Sequence, residues 1–191
     1  PTDDLEDATN VLTLATSYTD TAGNTGTAAT TANYAIDTKE PTVSSFTMSD
    51  TALKSGDTST VTLVFSEAVS GFANSDVTVV NGALASMTSS DNITWTGTYT
   101  PTADVEDATN VLTLATSYTD TAGNAGPSAT TANFTIDTTA PTVTSFTMSD
   151  TDLKSGDTST VTLVFSESVA AFASDDDVAV VNGALASMSS S

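Results

Sequence analysis

The side chains that could do chemistry in this chain are almost all carboxylates and amides. The sequence contains Asp+Glu 24 against Lys+Arg 3, with no His and no Cys, for a formal charge of −21. Without imidazole or thiol groups, the usual acid–base and thiol constellations of enzymes cannot form, and no enzymatic activity is expected. A disulfide framework and a Cys-based zinc site are excluded as well. Carboxylate and carbonyl oxygens are the ligands of hard cations such as Ca²⁺, so calcium is the expected cofactor.

One loop motif occurs twice, letter for letter: SYTDTAGN at Ser17–Asn24 and at Ser117–Asn124. Asp, Gly and Asn all favour turns, through local hydrogen bonds or a positive φ. The Asp and Asn oxygens of the same motif could also bind a cation. The motif is therefore compatible with a plain turn and with a metal loop.

The charge balance also restricts the partners. Phosphate groups are bound by clustered Lys and Arg, so neither nucleic acid nor an anionic membrane surface is an expected partner. No run of residues is long and apolar enough to predict a membrane span, and no signal peptide opens the chain. Carboxylates in this excess repel one another and destabilise a compact state unless cations neutralise them. No EF-hand loop or GGxGxD repeat is present, so any calcium site must be assembled from separate loops.

A long repeat organises the chain. The segment that begins at Glu40 returns at Ala140, an offset of 140 − 40 = 100 residues, and the segment at Glu6 returns unchanged at Glu106. The repeat predicts three parts: residues 1–37 as the last strands of a preceding repeat, 38–137 as a complete repeat, and 138–191 as the first strands of a following one. The chain begins in mid-pattern, and we expect it to be an excerpt of a longer array.

Each repeat is predicted to be all-β. Thr, Val and Ser dominate, apolar residues alternate with polar ones, and turn residues separate the segments. Seven short strands in about a hundred residues indicate an immunoglobulin-like β-sandwich, repeated head to tail. The predicted strands are Val43–Ser49, Val61–Phe65, Asp76–Val80, Ala83–Met87, Asn92–Tyr99, Asn110–Tyr118 and Ala132–Asp137.

The acidic residues of the complete repeat fall in loops or at strand ends, in two groups at opposite ends of the sandwich. The entry end is expected to collect Asp37, Glu40, Glu67, Asp76, Asp91 and Asp120. The exit end is expected to collect Asp50, Asp57, Asp104, Glu106, Asp107 and Asp137. In a head-to-tail array these two ends face each other across a short Pro-containing linker. The junction is therefore a good place for Ca²⁺.

The motifs LKSGDTSTVTLVFSE, GFANSDV, NGAL and TDTAGN, in this order, resemble a bacterial Ig-like domain. The unit is similar to the tandem extender domains of large Type I-secreted, RTX-type adhesins of Gram-negative bacteria, including marine ice-binding and biofilm adhesins. The resemblance covers the complete repeat and both partial ones. It implies an extracellular location at the bacterial cell surface and Ca²⁺ at and near the linkers.

The resemblance also implies a set of metal ligands. Glu67, Asp76, Asp120 and Asn124 are the candidates near the entry end, followed by the linker residues Asp37 and Asp137. Lys39 in the first linker replaces the Thr139 of the second, which predicts unequal metal binding at the two junctions. The remaining candidates are counterparts in the partial repeats and residues of the opposing end: Asp20, Asn24, Glu167, Asp176 (one of Asp175–Asp177), Asp50, Asp150, Glu106 and Asp107.

Two functions follow as expectations. The first is a structural spacer that is stiffened by Ca²⁺ and projects an adhesive domain from the cell. The second is a module that grips a carbohydrate or a protein with its loop ends. Loops that are nearly identical between copies favour the spacer. The expected partners are neighbouring repeats of the same array, or adjacent chains that complete the partial repeats at either end.

Overall fold

A computed structural model describes residues 1–190, which form two compact units, Pro1–Thr139 and the residues from Ala140 onward. The strands of the first unit are β1 (Glu6–Asn10), β2 (Thr13–Leu14), β3 (Ala29–Thr30), β4 (Tyr34–Asp37), β5 (Val43–Met48), β6 (Ala52–Lys54), β7 (Ser59–Phe65), β8 (Val69–Ser70), β9 (Val77–Thr78), β10 (Gly82–Leu84), β11 (Thr94–Pro101), β12 (Glu106–Asn110), β13 (Thr113–Leu114), β14 (Thr119–Asp120), β15 (Ala129–Thr130) and β16 (Phe134–Asp137). The second unit contains β17 (Val143–Met148), β18 (Val161–Phe165) and the short helix α1 (Ser174–Asp177). None of the helices in residues 1–190 has the length and hydrophobicity that a membrane crossing requires.

The first sheet of the complete repeat is antiparallel, with the order β10–β11–β7–β5. Alternation along β7 explains its place at the centre of this sheet. Val61, Leu63 and Phe65 are at most 1% exposed and point to the core, as their spacing of two residues requires. The neighbouring strand β11 pairs with β7 over six residues and contributes the buried Tyr99.

The second sheet is assembled from short ladders. Strand β16 pairs antiparallel with β12 and parallel with β6, and β13 lies between β15 and β9. A further ladder joins β14 to β8. The two sheets and the Ig-like order of their strands confirm the predicted immunoglobulin-like sandwich.

Four of the predicted strands change most in extent. The third is reduced to β9, because a turn of 3-10 helix (Asn74–Asp76) occupies its expected start. The fourth, predicted over Ala83–Met87, is observed as β10. The sixth begins earlier, at Glu106, and forms three pieces, β12, β13 and β14. Within β12 the register is irregular between Asp107 and Asn110, and there the Asn110 amide donates to the backbone carbonyls of Asp107 and Phe134. The seventh, predicted over Ala132–Asp137, is reduced to β16.

The core lies between the two sheets. Leu112, Leu114 and Tyr118 from the second sheet are fully buried against the first sheet, and the rings of Tyr118 and Phe65 are 4.8 Å apart. The Tyr118 hydroxyl donates to the carbonyl of Pro127, and its ring lies directly on Gly126, where a Cβ atom would collide with it. Tyr118 is therefore a core residue and requires glycine opposite it.

Residues 1–37 reproduce the second-sheet pairings of the complete repeat. Strands β1 and β4 pair in the register Glu6↔Asp37, which matches Glu106↔Asp137 of β12 and β16. In the second unit, β17 and β18 repeat the register of β5 and β7. Each part thus carries local strand pairing, and several of its large apolar side chains, such as Leu12 and Phe146, are exposed.

The repeat provides a matched test of core packing. Leu112→Ala removes a side chain that is 0% exposed and should lower the free energy of unfolding by about 2–5 kcal/mol. Leu12→Ala changes the matching residue, which is 63% exposed, and should cost less than about 0.5 kcal/mol. Urea unfolding of dilute protein, followed by the fluorescence of the single Trp, reports on the complete repeat because Trp95 lies in β11. Equal losses in the two variants would contradict the assignment of the core.

Candidate metal centre

Three carboxylates from separate chain segments meet at the entry end of the complete repeat. Asp37 ends β4 at the start of the linker, Glu67 lies in the loop between β7 and β8, and Asp120 ends β14. One oxygen of each carboxylate lies within 4.8 Å of the others. We call Asp37, Glu67 and Asp120 the junction cluster. Among residues 1–190 no second group of three such side chains is present.

Asp120 is held rigidly within the junction cluster. Its side chain is 1% exposed, and its Oδ1 accepts hydrogen bonds from the backbone N–H groups of Ala122, Gly123 and Asn124 at 2.7–2.9 Å. Gly123 adopts φ +102°, the left-handed conformation that lets the loop curl around this oxygen. Burial alone raises the pKa of Asp120, but hydrogen bonds from Asn124, Gly123 and Ala122 outweigh it and leave the pKa below its ordinary value. Asp120 is therefore stabilised as a carboxylate.

Glu67 is in the opposite electrostatic situation. Burial, and then the negative charges of Asp120, Asp37 and Glu6, raise the pKa of Glu67 above its ordinary value of 4.5. Lys39 offsets part of this effect. The ionised form of Glu67 is thus disfavoured by its surroundings, as expected for a partly buried carboxylate beside other carboxylates.

Asn124 connects the loop after β14 to the linker. Its side-chain amide donates to Asp120 Oδ2 at 2.8 Å and lies 3.3 Å from the Asp37 carbonyl oxygen and 3.2 Å from that of Lys39. The Lys39 ammonium group is 4.0 Å from the Glu6 carboxylate. These contacts fasten residues 1–37 to the complete repeat through one polar side chain and one weak ion pair.

The same loop motif in residues 1–37 has no such surroundings. Asp20 Oδ1 accepts from the backbone N–H groups of Ala22 and Asn24, and its Oδ2 accepts from the Asn24 amide at 2.7 Å. The turn is therefore the same in both copies. Asp20 is nevertheless exposed, whereas Asp120 is buried against the linker. The turn and the ligand interpretations of SYTDTAGN are therefore compatible.

Asp76, which the resemblance placed with Glu67 and Asp120, is not a member of the junction cluster. Its carboxylate accepts hydrogen bonds from the backbone N–H of Ala73 at 2.8 Å and from the Ser117 hydroxyl. In the second unit the N–H of Ala173 bonds to Asp177 in the same way. The counterpart of Asp76 is therefore Asp177 rather than Asp176, because the extra residue is accommodated before it in α1.

Several of the candidate ligands expected at the exit end already accept hydrogen bonds from nearby groups. Asp107 accepts from the backbone N–H of Thr109 and from the Asn81 amide, and Asp50 and Asp150 each cap a turn by accepting from a backbone N–H two residues on. Glu106 and Asp137 are exposed and sit opposite each other in the pairing of β12 and β16. Glu167 is half-buried in the second unit. The structure does not gather any three of these side chains into a group within residues 1–190.

Two polar side chains that were not predicted from the sequence form hydrogen bonds with these carboxylates. Asn81 bridges Asp107 and Asn110 through its amide, and Ser117 bonds to Asp76. Asn81 precedes Gly82, and an Asn-Gly pair favours a tight turn, in agreement with its φ of 50°, but this turn preference does not identify the hydrogen-bond partners of Asn81. Nothing in the sequence pairs Ser117 with Asp76, which lies 41 residues away.

The fold defines an all-β Ig-like module, and the comparisons with known proteins give its family. The profile of the bacterial Ig-like domain matches residues 37–136 and again residues 137–191, so the chain belongs to the bacterial Ig-like domain family. Domains of this family are typically structural modules and are usually extracellular or surface-exposed. A search of curated proteins found no significant match. A search of solved structures found none either.

Asn124 should fasten the linker and Asn24 should not. Asn124→Ala removes the amide that reaches Asp37 and Lys39, and we expect faster hydrogen exchange of the linker amides and a loss of about 1 kcal/mol in the unfolding free energy of the complete repeat. Asn24→Ala removes only the contact with Asp20 and should leave linker exchange unchanged. Hydrogen–deuterium exchange with peptide-level resolution measures both. Equal exchange in the two variants would contradict the role of Asn124.

Because the pKa of Glu67 is raised, replacing its carboxylate with a neutral side chain should increase the free energy of unfolding in a pH-dependent way. Folded Glu67 keeps its proton to a higher pH than the unfolded chain does, so its contribution to stability falls as the pH rises above about 4.5. In a chelator, Glu67→Gln should therefore raise the unfolding free energy at neutral pH, and the gain should vanish in acid. Glu167→Gln, the matching change in the second unit, should not affect unfolding measured through Trp95. A gain that is independent of pH would exclude this electrostatic cause.

Proposed function

We propose that this chain is a spacer region of a bacterial surface adhesin, in which Ca²⁺ at the junction cluster stiffens the array that projects an adhesive domain. The observation that carries the proposal is the convergence of Asp37, Glu67 and Asp120, with one oxygen of each within 4.8 Å of the others. Family membership supports a surface-exposed structural module. The adhesin role and the cation are our inference from the site.

The donor set fits a hard divalent cation. Ca²⁺ takes about 6–8 oxygen ligands, including carboxylates and backbone carbonyls. The junction cluster supplies three carboxylates, and the carbonyls of Asp37 and Lys39 lie close to Asn124 beside it. No nitrogen or sulfur ligand that would favour a softer metal is available, because the chain contains no His or Cys.

The local charge also favours a cation. Besides the three carboxylates, Glu6 lies directly opposite Asp37 in the pairing of β1 and β4, and like charges in that position destabilise a strand pair. Lys39 is the one basic residue that contributes to the electrostatics of Glu67. A divalent cation would remove this repulsion, and Ca²⁺ would supply charge neutralisation and multiple coordination at once.

Stiffening follows from where the ligands come from. Asp37 belongs to the linker, whereas Glu67 and Asp120 belong to loops of the complete repeat. An ion that binds all three binds only when the linker is docked on the repeat. Such binding stabilises the docked, folded state by RT ln(1 + [L]/Kd), which is about 2.7 kcal/mol at 100 times Kd. The linker would then lose the freedom that repulsion otherwise gives it.

Near-identity of the loops argues for a spacer rather than a recognition module. The loop Ser117–Asn124 repeats Ser17–Asn24 without a change, and the stretch from Ser66 to Val69, which contains Glu67, differs from its counterpart around Glu167 at one residue. Modules that recognise different ligands would be expected to vary there. Binding of a glycan or a protein by the complete repeat alone would instead support the ligand-binding alternative, and a glycan array with that repeat tests it.

Calcium should stabilise the chain through Glu67. Wild-type protein in saturating Ca²⁺ should unfold with about 2–4 kcal/mol more free energy than in chelator, as measured by urea titration of Trp95 fluorescence. Glu67→Gln should lose most of this gain, although it is the more stable protein in chelator. Glu167→Gln should keep the gain, because it lies outside the junction cluster.

Scattering adds a measure of shape. Small-angle X-ray scattering should show a longer and less variable particle in Ca²⁺ than in chelator. Unchanged unfolding and unchanged particle dimensions on addition of Ca²⁺ would overturn the proposal. A calcium response that survives Glu67→Gln in full would place the ion elsewhere in the chain.

A further inference from the structure

The turn between β9 and β10 contains the pair Asn81-Gly82, and the fold favours each of these residues for its own reason. Asn81 adopts φ 50°, a left-handed conformation in which Asn and Gly are favoured. A Cβ atom at Gly82 would collide with the ring and hydroxyl group of Tyr99 and with the Thr100 carbonyl oxygen. Tyr99 is fully buried, and its hydroxyl donates to the Val80 carbonyl at 2.8 Å. Replacing either residue of the pair therefore disturbs the turn or the core.

An Asn-Gly pair is also chemically reactive. The backbone nitrogen of Gly can attack the side-chain carbonyl carbon, Cγ, of the Asn before it, because Gly has no side chain that hinders the approach. The new N–Cγ bond closes a succinimide ring. The side-chain nitrogen leaves as ammonia and carries away the proton of the Gly nitrogen. Water then opens the ring to Asp or isoaspartate, so the net reaction is hydrolysis of one amide, with no transfer of electrons.

The attacking nitrogen lies outside the strand pairing. The Thr102 N–H donates to the Asn81 carbonyl at 2.9 Å, and Gly82 is opposite Pro101 in the next position of the same ladder. Hydrogen-bonded and non-hydrogen-bonded pairs alternate along an antiparallel ladder, so the Gly82 N–H points away from β11. The structure therefore restrains the side chain of Asn81 rather than the nitrogen that attacks it.

Two hydrogen bonds hold the side chain of Asn81. Its amide nitrogen donates to Asp107 Oδ2 at 2.9 Å and to the side-chain oxygen of Asn110 at 2.8 Å. Both acceptors belong to β12, so these bonds fasten the turn to that strand. We call Asn81, Asp107 and Asn110 the amide lock. Closure of a succinimide requires rotation of the Asn81 side chain, and the amide lock opposes that rotation.

We propose that Asn81 is a site of spontaneous deamidation, and that the amide lock sets the rate by holding its side chain in the folded repeat. The reaction proceeds when the turn opens locally, which requires less free energy than global unfolding. This inference does not depend on metal or on the proposed spacer function. Its tests are therefore made in chelator.

Deamidation would replace the amide lock by a repulsive contact. The product side chain has no amide N–H groups, so the side-chain oxygen of Asn110, a residue that is 1% exposed, loses its donor. The new carboxylate would face that of Asp107, whose pKa is lowered by hydrogen bonds from Thr109 and from the Asn81 amide. An unsatisfied buried acceptor and a pair of like charges both destabilise the fold. The modified repeat is therefore less stable than the original, and the modification accumulates with the age of the protein.

Peptide mapping by mass spectrometry measures the reaction. The full chain is incubated at mildly alkaline pH, folded and in urea. The sequence VVNGALASM occurs at Val79–Met87 and at Val180–Met188, so in urea Asn81 and Asn182 should react at the same rate, which gives the intrinsic rate of the pair. In folded protein Asn81 should react more slowly than in urea by about tenfold or more, which corresponds to 1.4 kcal/mol for local opening.

Asp107→Ala tests the amide lock. It removes the charged acceptor and should accelerate deamidation of Asn81 in folded protein by about tenfold. Asp91→Ala is the matched control, because Asp91 also accepts hydrogen bonds from backbone N–H groups of its own turn but lies at the opposite end of β11 from Asn81. It should leave the rate unchanged. Trp95 fluorescence shows whether each variant is folded. If Asp107→Ala is not, Asp107→Asn keeps the shape, removes the charge and should give a smaller acceleration.

Asn81→Asp gives one deamidation product directly. At neutral pH it should raise the unfolding equilibrium constant by about tenfold or more, which corresponds to 1.4 kcal/mol, as measured by urea titration of Trp95 fluorescence. Part of this loss should be recovered in acid, because protonation removes the repulsion between the two carboxylates. Asn92→Asp adds the same charge at another Asn with positive φ, which is exposed, and should change the unfolding constant little.

Several results would overturn the proposal. If Asn81 stays intact in urea, it is not a reactive site. If it reacts as fast in folded protein as in urea, the fold does not protect it. Equal acceleration by Asp107→Ala and Asp91→Ala would attribute the protection to overall stability rather than to the amide lock. An Asn81→Asp variant as stable as the wild type would contradict the predicted effect of the modification.

Discussion

The sandwich depends on the burial of one apolar face against another. Leu63 and Phe65 on the first sheet and Leu112 and Tyr118 on the second are buried only because the two sheets close on each other. Burial of apolar surface contributes about 25 cal/mol per Å². Such closure is therefore the main source of stability in this domain, which has no disulfide. The pairing of strands alone does not provide it, as residues 1–37 show, where the same ladders form and the same leucines stay exposed.

This closure also sets the position of the carboxylates. Glu67 follows the central strand of the first sheet, and Asp120 ends a strand of the second, so the two meet only when the sheets are packed. The linker adds Asp37, which Asn124 holds through its backbone carbonyl. Apolar packing therefore brings together charges that repel each other, and the raised pKa of Glu67 reflects the electrostatic cost of that arrangement.

Much of this architecture could be predicted from the sequence, because it rests on local periodicity. The alternation of Val61, Leu63 and Phe65 predicts a buried strand face, and the structure confirms it. The irregular register inside β12 was less predictable, since it depends on the Asn110 side chain, which satisfies backbone groups there. Pattern reasoning detects a strand but not the hydrogen bonds that interrupt it.

The location of the junction cluster could be predicted from the sequence, but the residues that form it could be predicted only in part. Loops at one end of a sandwich must converge, and Asp37, Glu67 and Asp120 do. Asp76 was grouped with them by resemblance, but Ala73 and Ser117 take its hydrogen bonds. A carboxylate that flanks a turn of helix can satisfy that turn or face a junction, and sequence spacing does not distinguish the two.

The repeated loop SYTDTAGN shows most directly why local sequence is insufficient. Asp20 and Asp120 both accept hydrogen bonds from the backbone N–H groups two and four residues on, yet Asp20 is exposed and Asp120 is 1% exposed beside two further carboxylates. Asp120 lies beside Asp37 of the linker, to which the Asn124 amide is also close. The loop motif alone does not specify this neighbour, because Asp37 lies 83 residues before Asp120 in the chain. The junction cluster therefore needs both the packed sheets of the repeat, which bring Glu67 and Asp120 together, and the linker, which adds Asp37.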